Sequence, residues 1–450
     1  MKTIGRYRIK GLLGKGGMGR VFKAELPVVD KMVALKHFNP HEHMQALLGQ
    51  EHAAALFHTE ARILANIHHP HVAALLDFDY DAAGRPFFVM EYLCMNLGAL
   101  IGETYETGKK TRRLAPERAA KYMDQTLDGL GRLHHAGIIH RDIKPYNILL
   151  TDDDRVKIID LGLSRLRGEV RALPETFKVG TPFYAPPEQE AHPDRADERA
   201  DLFSAGVLLW RMLTGELPPE FESPQPPSKL NPLLGKIWDE TLLTGIARDV
   251  GNRFQSCEAM RQAVAAAFEN WRETLEQTCR YAPPEAAAKS AAGGQPLRNT
   301  PAKVSLARAQ NIFGLDEWFR PKEGLSGRYA DRGGNTVADT RHGLLWQTGG
   351  SPYPLDWQAA GRLIRQLNQE GFEGLANWRL PTVDELLTLV RPKTVLGDFC
   401  PPSVFNTRQN RLWSCDKKSF TAAWYVDTDL GFAGSQDMSC RFYVRAVADA

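Results

Sequence analysis

Residues Ile138 to Gly162 read IIHRDIKPYNILLTDDDRVKIIDLG, and the fold turns on this stretch. Two short apolar runs, NILL and KIID, flank the acidic turn TDDDR, so they read as an antiparallel hairpin. In that pairing Asn147 and Asp160 come opposite each other at the open end. Two hard oxygen donors at such a point suit Mg²⁺, which also takes oxygens from nucleotide phosphates. Asp142 and Lys144 lie just upstream in the same loop. A carboxylate there is suited to orient a hydroxyl, and an ammonium to neutralise a transferring phosphoryl group.

Towards the N-terminus, Tyr7 to Glu25 reads YRIKGLLGKGGMGRVFKAE, with Gly14, Gly16 and Gly19 spaced as GxGxxG and Val21 two residues on. A dinucleotide fingerprint needs a strand followed by a helix, whereas these glycines separate two strand-like runs. The segment therefore reads as a hairpin whose glycines let backbone N–H groups approach phosphate oxygens, or as an ordinary glycine-rich turn. Val33-Ala34-Leu35-Lys36 is a further strand-like run, and its lysine either reaches phosphate or stays on the surface. Leu56, Glu60, Ile63 and Ile67 fall on one helical stripe, which turns Glu60 inward. A buried carboxylate needs a cation, and Lys36 is the natural partner.

At this point residues 7 to about 272, nearly 60% of the chain, resemble the bacterial eukaryotic-type Ser/Thr protein kinases. The glycine loop, VALK, HRDIKPYN, DLG, GTPFYAPPE and DLFSAGVLLW occur in that family's order. The resemblance implies that Lys36 contacts the α and β phosphates of ATP and pairs with Glu60. It implies that Asp142 positions the substrate hydroxyl, that Lys144 sits near the γ phosphate, and that Asn147 and Asp160 hold Mg²⁺. In the hinge FFVMEYL it makes Met90 the gatekeeper and the backbone of Glu91 and Leu93 the adenine contact, with Val21, Ala34 and Leu149 around the ring. Glu188 is expected to pair with Arg253 of GNRF, and Thr181 to hydrogen-bond near Asp142 and Lys144.

The family pattern is departed from in three places. Leu161 stands where a phenylalanine is usual, and Pro186-Pro187-Glu188 replaces Ala-Pro-Glu. A His-rich insertion, residues 37 to 58, carries His37, His41, His43, His52 and His58, read as a solvated loop with a metal site as the alternative. Between Asp160 and Glu188 the cations Arg165, Arg167, Arg171 and Lys178 suit a loop ordered by phosphate, and Arg141 precedes Asp142. Thr176 is the first candidate acceptor and Ser164 the second; the plain alternative for Thr176 is a loop threonine. Lys144, two residues after the aspartate, resembles the Ser/Thr branch more than the Tyr branch.

The composition breaks at APPEAAAKSAAGGQPLRNTPAK, residues 282 to 303, which reads as a linker. Before it, Met260, Val264, Phe268, Trp271 and Leu275 mark one face of a helix spanning Ser256 to Thr278. After it come six of the nine tryptophans, in a domain with the order strand, helix, turn, helix, then several strands. Trp357, Ala360, Leu363, Ile364 and Leu367 give its first helix an apolar face. Thr382 and Glu385 form a capping box for the second, with Pro381 in its first turn. The tryptophans read as core and loop-supporting residues, with a ligand platform as the alternative. HGLLWQTGG, NWRLPTVDELLTLV and the terminal VRAV resemble the C-terminal domain of the Legionella collagen-like adhesin family and, beyond it, C-type-lectin-like folds.

The expected fold class is α+β. An N-lobe of antiparallel sheet plus helix (about 1–93) and a mostly helical C-lobe (about 94–280) form a two-lobed kinase domain over residues 1–280. A flexible linker over 281–305 leads to a mixed α+β, C-type-lectin-like ligand-binding domain over 306–450. At 450 residues, with 43% hydrophobic and 24% charged, the chain has surface for large cores and about three units by length. A net charge of +2 gives no reason to expect nucleic acid. No apolar run reaches the ~18 to 20 residues of a membrane span, and the start MKTIGRYRIK lacks the apolar core of a secretory signal. The reading is therefore cytoplasmic, with six scattered cysteines expected as thiols.

The function expected is transfer of the γ phosphate of ATP to protein Ser and Thr hydroxyls, autophosphorylation included, with Mg²⁺. The partners expected are a protein substrate and an unknown ligand or protein for the C-terminal domain. The alternative is a nucleotide-binding pseudokinase scaffold displaying a ligand-binding domain, in one version diversified by a retroelement.

Overall fold

The computed structural model describes residues 2–450 apart from 107, 163, 167–179, 194–195, 220–222, 282–296, 323–324, 392–401 and 406–408. The chain forms two compact units, Met1–Arg280 and Tyr281–Ala450.

Unit 1 begins with six strands: β1 (Thr3–Ile4), β2 (Tyr7–Lys15), β3 (Gly19–Leu26), β4 (Lys31–Phe38), β5 (Leu75–Tyr80) and β6 (Pro86–Glu91). They form one antiparallel sheet in the order β1-β2-β3-β4-β6-β5. Alternate residues of the middle strands face one way, so Ala24, Val33, Leu35, Phe87 and Val89 close a small core with Ile4 and Tyr7. Between β4 and β5 run α1 (Glu42–Leu48) and α2 (Gln50–Asn66). The His-rich insertion is thus helical where the sequence reading places a solvated loop. Ala53, Leu56 and Phe57 keep the helical period through it and are buried, and the number of histidines obscures that period. His37 closes β4 at 2.9 Å from Asp81, while the His58 ring lies 5.4 Å from that of Phe78.

The rest of unit 1 is mostly helical. It holds α3 (Leu97–Ile101), α4 (Pro116–His135), α5 (Pro187–Ala191), α6 (Arg199–Thr214), α7 (Pro227–Leu230), α8 (Lys236–Gly245) and α9 (Cys257–Tyr281). Helix α6 is buried from Ala200 to Thr214, most of it apolar, with Asp201 and Arg211 buried among the apolar residues. Short strands complete it: β7 (Met95–Asn96), β8 (Ile138–Ile139), β9 (Ile148–Leu150), β10 (Val156–Ile158) and β11 (Arg165–Leu166). β9 and β10 are the expected hairpin, with Ile148 opposite Ile158. Ile159 N–H donates to the Asn147 carbonyl at 3.0 Å, so Asn147 faces Ile159 and Asp160 lies one residue beyond the pairing expected.

Unit 2 holds a four-stranded antiparallel sheet, β12 (Tyr329–Asp331), β13 (Thr336–Asp339), β14 (Leu344–Gln347) and the C-terminal β18 (Val447–Asp449). A second sheet joins β15 (Arg411–Lys417), β16 (Ala422–Asp427) and β17 (Phe432–Asp437). Its helices are α10 (Leu306–Ile312), α11 (Trp357–Glu370) and α12 (Val383–Leu387). The capping box of Thr382 and Glu385 is present, with Pro381 just outside the helix and not in its first turn. Val337, Trp346, Leu386, Leu412, Trp424 and Val447 meet in the core. Buried indoles also support loops: Trp378 donates to the Phe372 carbonyl, Trp413 to Leu355 and Trp424 to Val304, all within 3.0 Å.

Two expectations need correction. Residues 297–305, read as linker, belong to unit 2: Val304 N–H bonds the Lys417 carbonyl, and Ala302 N–H the Asp416 carboxylate, both at 2.8 Å. Cys94 and Cys440 are each disulfide-bonded, while Cys257 and Cys415 are free. Spacing along the chain does not reveal which cysteines approach in space. Among the described residues no helix is long and apolar enough to cross a membrane.

Candidate active site

The glycine segment is a hairpin joining β2 to β3, closed by a hydrogen bond from Gly16 N–H to the Gly19 carbonyl at 2.8 Å. Cβ atoms built at Gly14 or Gly16 would meet nothing closer than 3.9 Å, so those positions leave room above the cleft. Gly19 is different: a Cβ there would stand 2.3 Å from the His37 carbonyl oxygen on β4, so strand packing requires this glycine.

Lys36 on β4 donates from Nζ to both Glu60 oxygens, at 2.7 and 2.8 Å, and to Asp160 Oδ1 at 2.9 Å. Glu60 is 2% exposed on the inward stripe of α2. Burial by itself would favour loss of the Lys36 proton, but Asp160 and Glu60 outweigh it and hold the ammonium above its ordinary value. Lys36 in turn pulls Asp160 down to about 2, with smaller help from His140 and Lys144. Asp160 has a left-handed backbone, φ 65°, as does Arg141 at φ 66°. Such conformations in non-glycine residues cluster where the surrounding structure fixes a functional group.

The loop before β9 holds the second cluster. Asp142 Oδ2 accepts from Lys144 Nζ at 2.7 Å and from Asn147 Nδ2 at 3.0 Å, while Oδ1 accepts from Thr181 Oγ1 at 2.8 Å. Lys144 Nζ also donates to Thr181 Oγ1 at 2.8 Å. The Asn147 amide nitrogen is committed to Asp142, which leaves its oxygen as the atom able to bind a cation. The Asp160 side chain is 44% exposed, so that pair offers hard oxygens of the kind Mg²⁺ takes.

The remaining predicted residues sit around these clusters. Val21 pairs with Lys36, and Ala34 with Met90, which is buried. Glu91 ends β6 and Leu93 follows; Leu149 lies on β9 opposite Lys157. Arg253 forms a two-pronged ion pair with Glu188 at 2.6 and 2.8 Å. Ser164, the second acceptor candidate, is 2% exposed and donates to the Leu161 carbonyl, so in this conformation its hydroxyl is hidden from an incoming phosphoryl group. Thr176, the first candidate, lies outside the described residues.

A family model described as "Protein kinase domain" matches residues 7–232. The chain belongs to the protein kinase family. A second model, "Lcl C-terminal domain", matches residues 335–448. The kinase unit is similar to serine/threonine-protein kinase pkn3 of Myxococcus xanthus, 32% identical over 289 residues, covering 59% of this chain and 50% of that protein. It is also similar to a probable serine/threonine-protein kinase of Streptomyces coelicolor, 34% identical over 283 residues, covering 59% of this chain and 40% of that protein. This chain thus spans about half the length, or less, of these two relatives. Among solved structures, the Mycobacterium tuberculosis PknI kinase domain aligns at 21% identity with a TM-score of 0.44, over 59% of this chain and 97% of that one.

Asp201, the first residue of the DLFSAGVLLW motif, has a role that the motif alone does not reveal. Asp201, fully buried near the start of α6, accepts from the backbone N–H of His140 at 2.9 Å and of Arg141 at 2.7 Å, and so fixes the loop that carries Asp142. His134 Nε2 on α4 stands 2.7 Å from Asp201 Oδ2, the oxygen that also takes the His140 N–H, with Cys257 Sγ 3.4 Å from the second ring nitrogen. The sequence signal is an acid at the head of the apolar run LFSAGVLLW, which calls for a buried partner. Burial disfavours the imidazolium, but Asp201 and then Cys257 raise His134 to about 10. A folded-state pKa above the unfolded one adds stability that is complete below about 6.5 and is lost as pH rises through about 10. His134→Gln is therefore expected to lower stability by about 2 kcal/mol at pH 6, with the difference shrinking towards pH 10. Urea midpoints measured across that range check it; a pH-independent difference would refute it.

Proposed function

We propose that the kinase unit transfers the γ-phosphoryl group of ATP to serine and threonine hydroxyls of proteins, its own chain included. The observation that carries this reading is the pair of adjoining charge clusters, Lys36–Glu60–Asp160 and Asp142–Lys144–Asn147–Thr181, each tied by hydrogen bonds of 3.0 Å or less. Phosphoryl transfer needs little covalent chemistry from a protein, and its rate comes from positioning and charge.

In this reading Lys36, locked by Glu60, receives the α and β phosphates beneath Gly14 and Gly16. The adenine lies among Val21, Ala34 and Leu149, with Met90 behind it and the backbone of Glu91 and Leu93 as its polar edge. Asp142 accepts the hydrogen bond of the substrate hydroxyl, since its carboxylate keeps lone pairs beyond those used by Lys144, Asn147 and Thr181. Lys144 meets the γ phosphate. Asn147 and Asp160 hold Mg²⁺, which when bound neutralises phosphate charge. Thr176 is the regulatory acceptor, Glu188 and Arg253 form a structural ion pair, and ATP as donor suits work in the cytoplasm. Unit 2 serves as a C-type-lectin-like sensing or recruitment module for a ligand or protein partner.

The test is incorporation of phosphate from γ-labelled ATP by the purified chain, with sites mapped by mass spectrometry. Label on Ser and Thr, Thr176 among them, that disappears on Mg²⁺ chelation is the expected result. ATP binding with no transfer to any protein would overturn the proposal.

A further inference from the structure

Tyr146 stands between two residues that hold the Asp142 carboxylate: Lys144 lies two positions before it, and Asn147 directly follows it. Its ring is 38% exposed and yet fixed on every other side. One face rests on Gly98, where an added Cβ would come within 2.9 Å of the ring. Its hydroxyl donates to the Glu103 carbonyl at 2.8 Å. The Tyr105 ring closes the edge with centroids 5.5 Å apart, and Tyr105 in turn meets Tyr184 edge-on at 6.0 Å. Tyr184 itself bonds through its N–H to the carbonyl of Thr181, the third residue on Asp142. Rigid, partly exposed aromatic rings bind with little loss of side-chain freedom.

Tyr105 bears two signs of a group held for a use outside its own fold. Its backbone is left-handed, φ 57°, and its buried hydroxyl, beside the Tyr146 backbone N–H, donates to no acceptor among the described residues. Burial, with the Glu103 and Asp142 carboxylates adding to it, raises the phenol above its ordinary value and keeps it a donor. A buried O–H without an acceptor is unfavourable, and a bound acceptor would recover that loss.

The charge of this wall is also settled. The Glu103 carboxylate that meets the wall is taken up by Arg211 at 2.9 and 3.0 Å and by the Tyr184 hydroxyl at 2.9 Å. Arg112 lies nearby, spending its donors on the Ala99 and Leu100 carbonyls. Among the described residues the carboxylate in contact with the wall is thus neutralised, and Glu106, next to Tyr105, pairs with Lys109 at 3.2 Å.

We propose that Tyr146 and Tyr105 form the wall against which a protein substrate lies beside its acceptor hydroxyl, selecting segments with an apolar or aromatic flanking residue over basic ones. The proposal rests on the phosphotransfer reading above, deepens it to a substrate class, and makes the two tyrosines specificity-determining residues.

A peptide library with a fixed Thr acceptor and one flanking position varied at a time tests it on the full chain. In at least one position Leu or Phe is expected to exceed Arg by about tenfold in kcat/KM, the scale of one apolar pocket contact. Tyr146→Ala should remove most of that ratio through the peptide KM, with the KM for ATP unchanged, and Tyr146→Phe should keep it. No preference, a preference for Arg, or a Tyr146→Ala effect falling equally on every peptide would overturn the wall. Autophosphorylation without turnover of any peptide would likewise overturn it and leave phosphotransfer standing. Absence of all transfer, autophosphorylation included, would sink the phosphotransfer reading and this one with it.

Discussion

Asp142→Asn is expected to lower phosphate transfer by about 10²–10⁴-fold while leaving ATP affinity within about twofold of the wild type. The carboxylate is 6% exposed and accepts hydrogen bonds from Lys144, Asn147 and Thr181. Asparagine preserves the volume but turns one acceptor oxygen into an NH₂ donor. One orientation then sets the new NH₂ against the donors Lys144 and Asn147, and the other sets it on Thr181, whose hydroxyl must turn to accept and so gives up the bond it donates. The negative charge that polarises an incoming hydroxyl is lost as well, whereas Lys36, which would hold the phosphates, bonds Glu60 and Asp160 and does not touch Asp142. Transfer rate and ATP affinity should therefore separate. Single-turnover transfer beside a nucleotide-binding titration measures both. A variant keeping a tenth or more of wild-type transfer would show that Asp142 is not the hydroxyl-positioning group.

How much of this site could be foreseen depends on how local its cause is. The pairing of NILL with KIID follows from alternation and an acidic turn within one short segment, so the hairpin is legible. Its register is not legible to the residue, because Asn147 precedes β9 in a 3₁₀ turn that shifts Asp160 past it. Glu60 is legible because a charge on an apolar stripe must find a cation, and Lys36 is the one at hand. Asp201 obeys the same logic, but its partners are backbone N–H groups about sixty residues away, which no side-chain pattern marks. The His-rich segment shows the opposite error, since attention to the histidines hides the apolar period of α2. Ser164 looks like any loop serine until the fold buries it beneath Leu161. Tyr146 and Tyr105 are silent in the sequence, because their shared wall depends on Gly98, Glu103 and Arg211 coming from separate elements.

In unit 2 the largest expected effect on stability belongs to Asp416→Ala. Asp416 is fully buried at the end of β15, inside a segment, DKKS, that reads as an ordinary polar turn. Its oxygens accept from both terminal nitrogens of Arg298, at 2.8 and 2.7 Å, and from the backbone N–H groups of Ala302 and Val383, each at 2.8 Å. One carboxylate thus ties three pieces of unit 2: the segment carrying Arg298, the first residue of α12, and β15. Burial works against the Arg298 charge, but Asp416 and Asp384 hold its pKa above the ordinary value, so removing Asp416 does not let the guanidinium discharge. Alanine would leave two buried N–H groups without an acceptor and a half-paired cation, a loss of about 3–5 kcal/mol for breaking a buried ion pair on one side. Asparagine should fall between, since it keeps one acceptor for the backbone N–H groups and loses the charge facing Arg298. Tryptophan emission during urea unfolding of the full chain reads this directly, because six of the nine tryptophans lie in unit 2. A transition moved by less than about 1 kcal/mol in the alanine variant would mean that Arg298 turns fully to Asp384 and that the strap is held by packing alone.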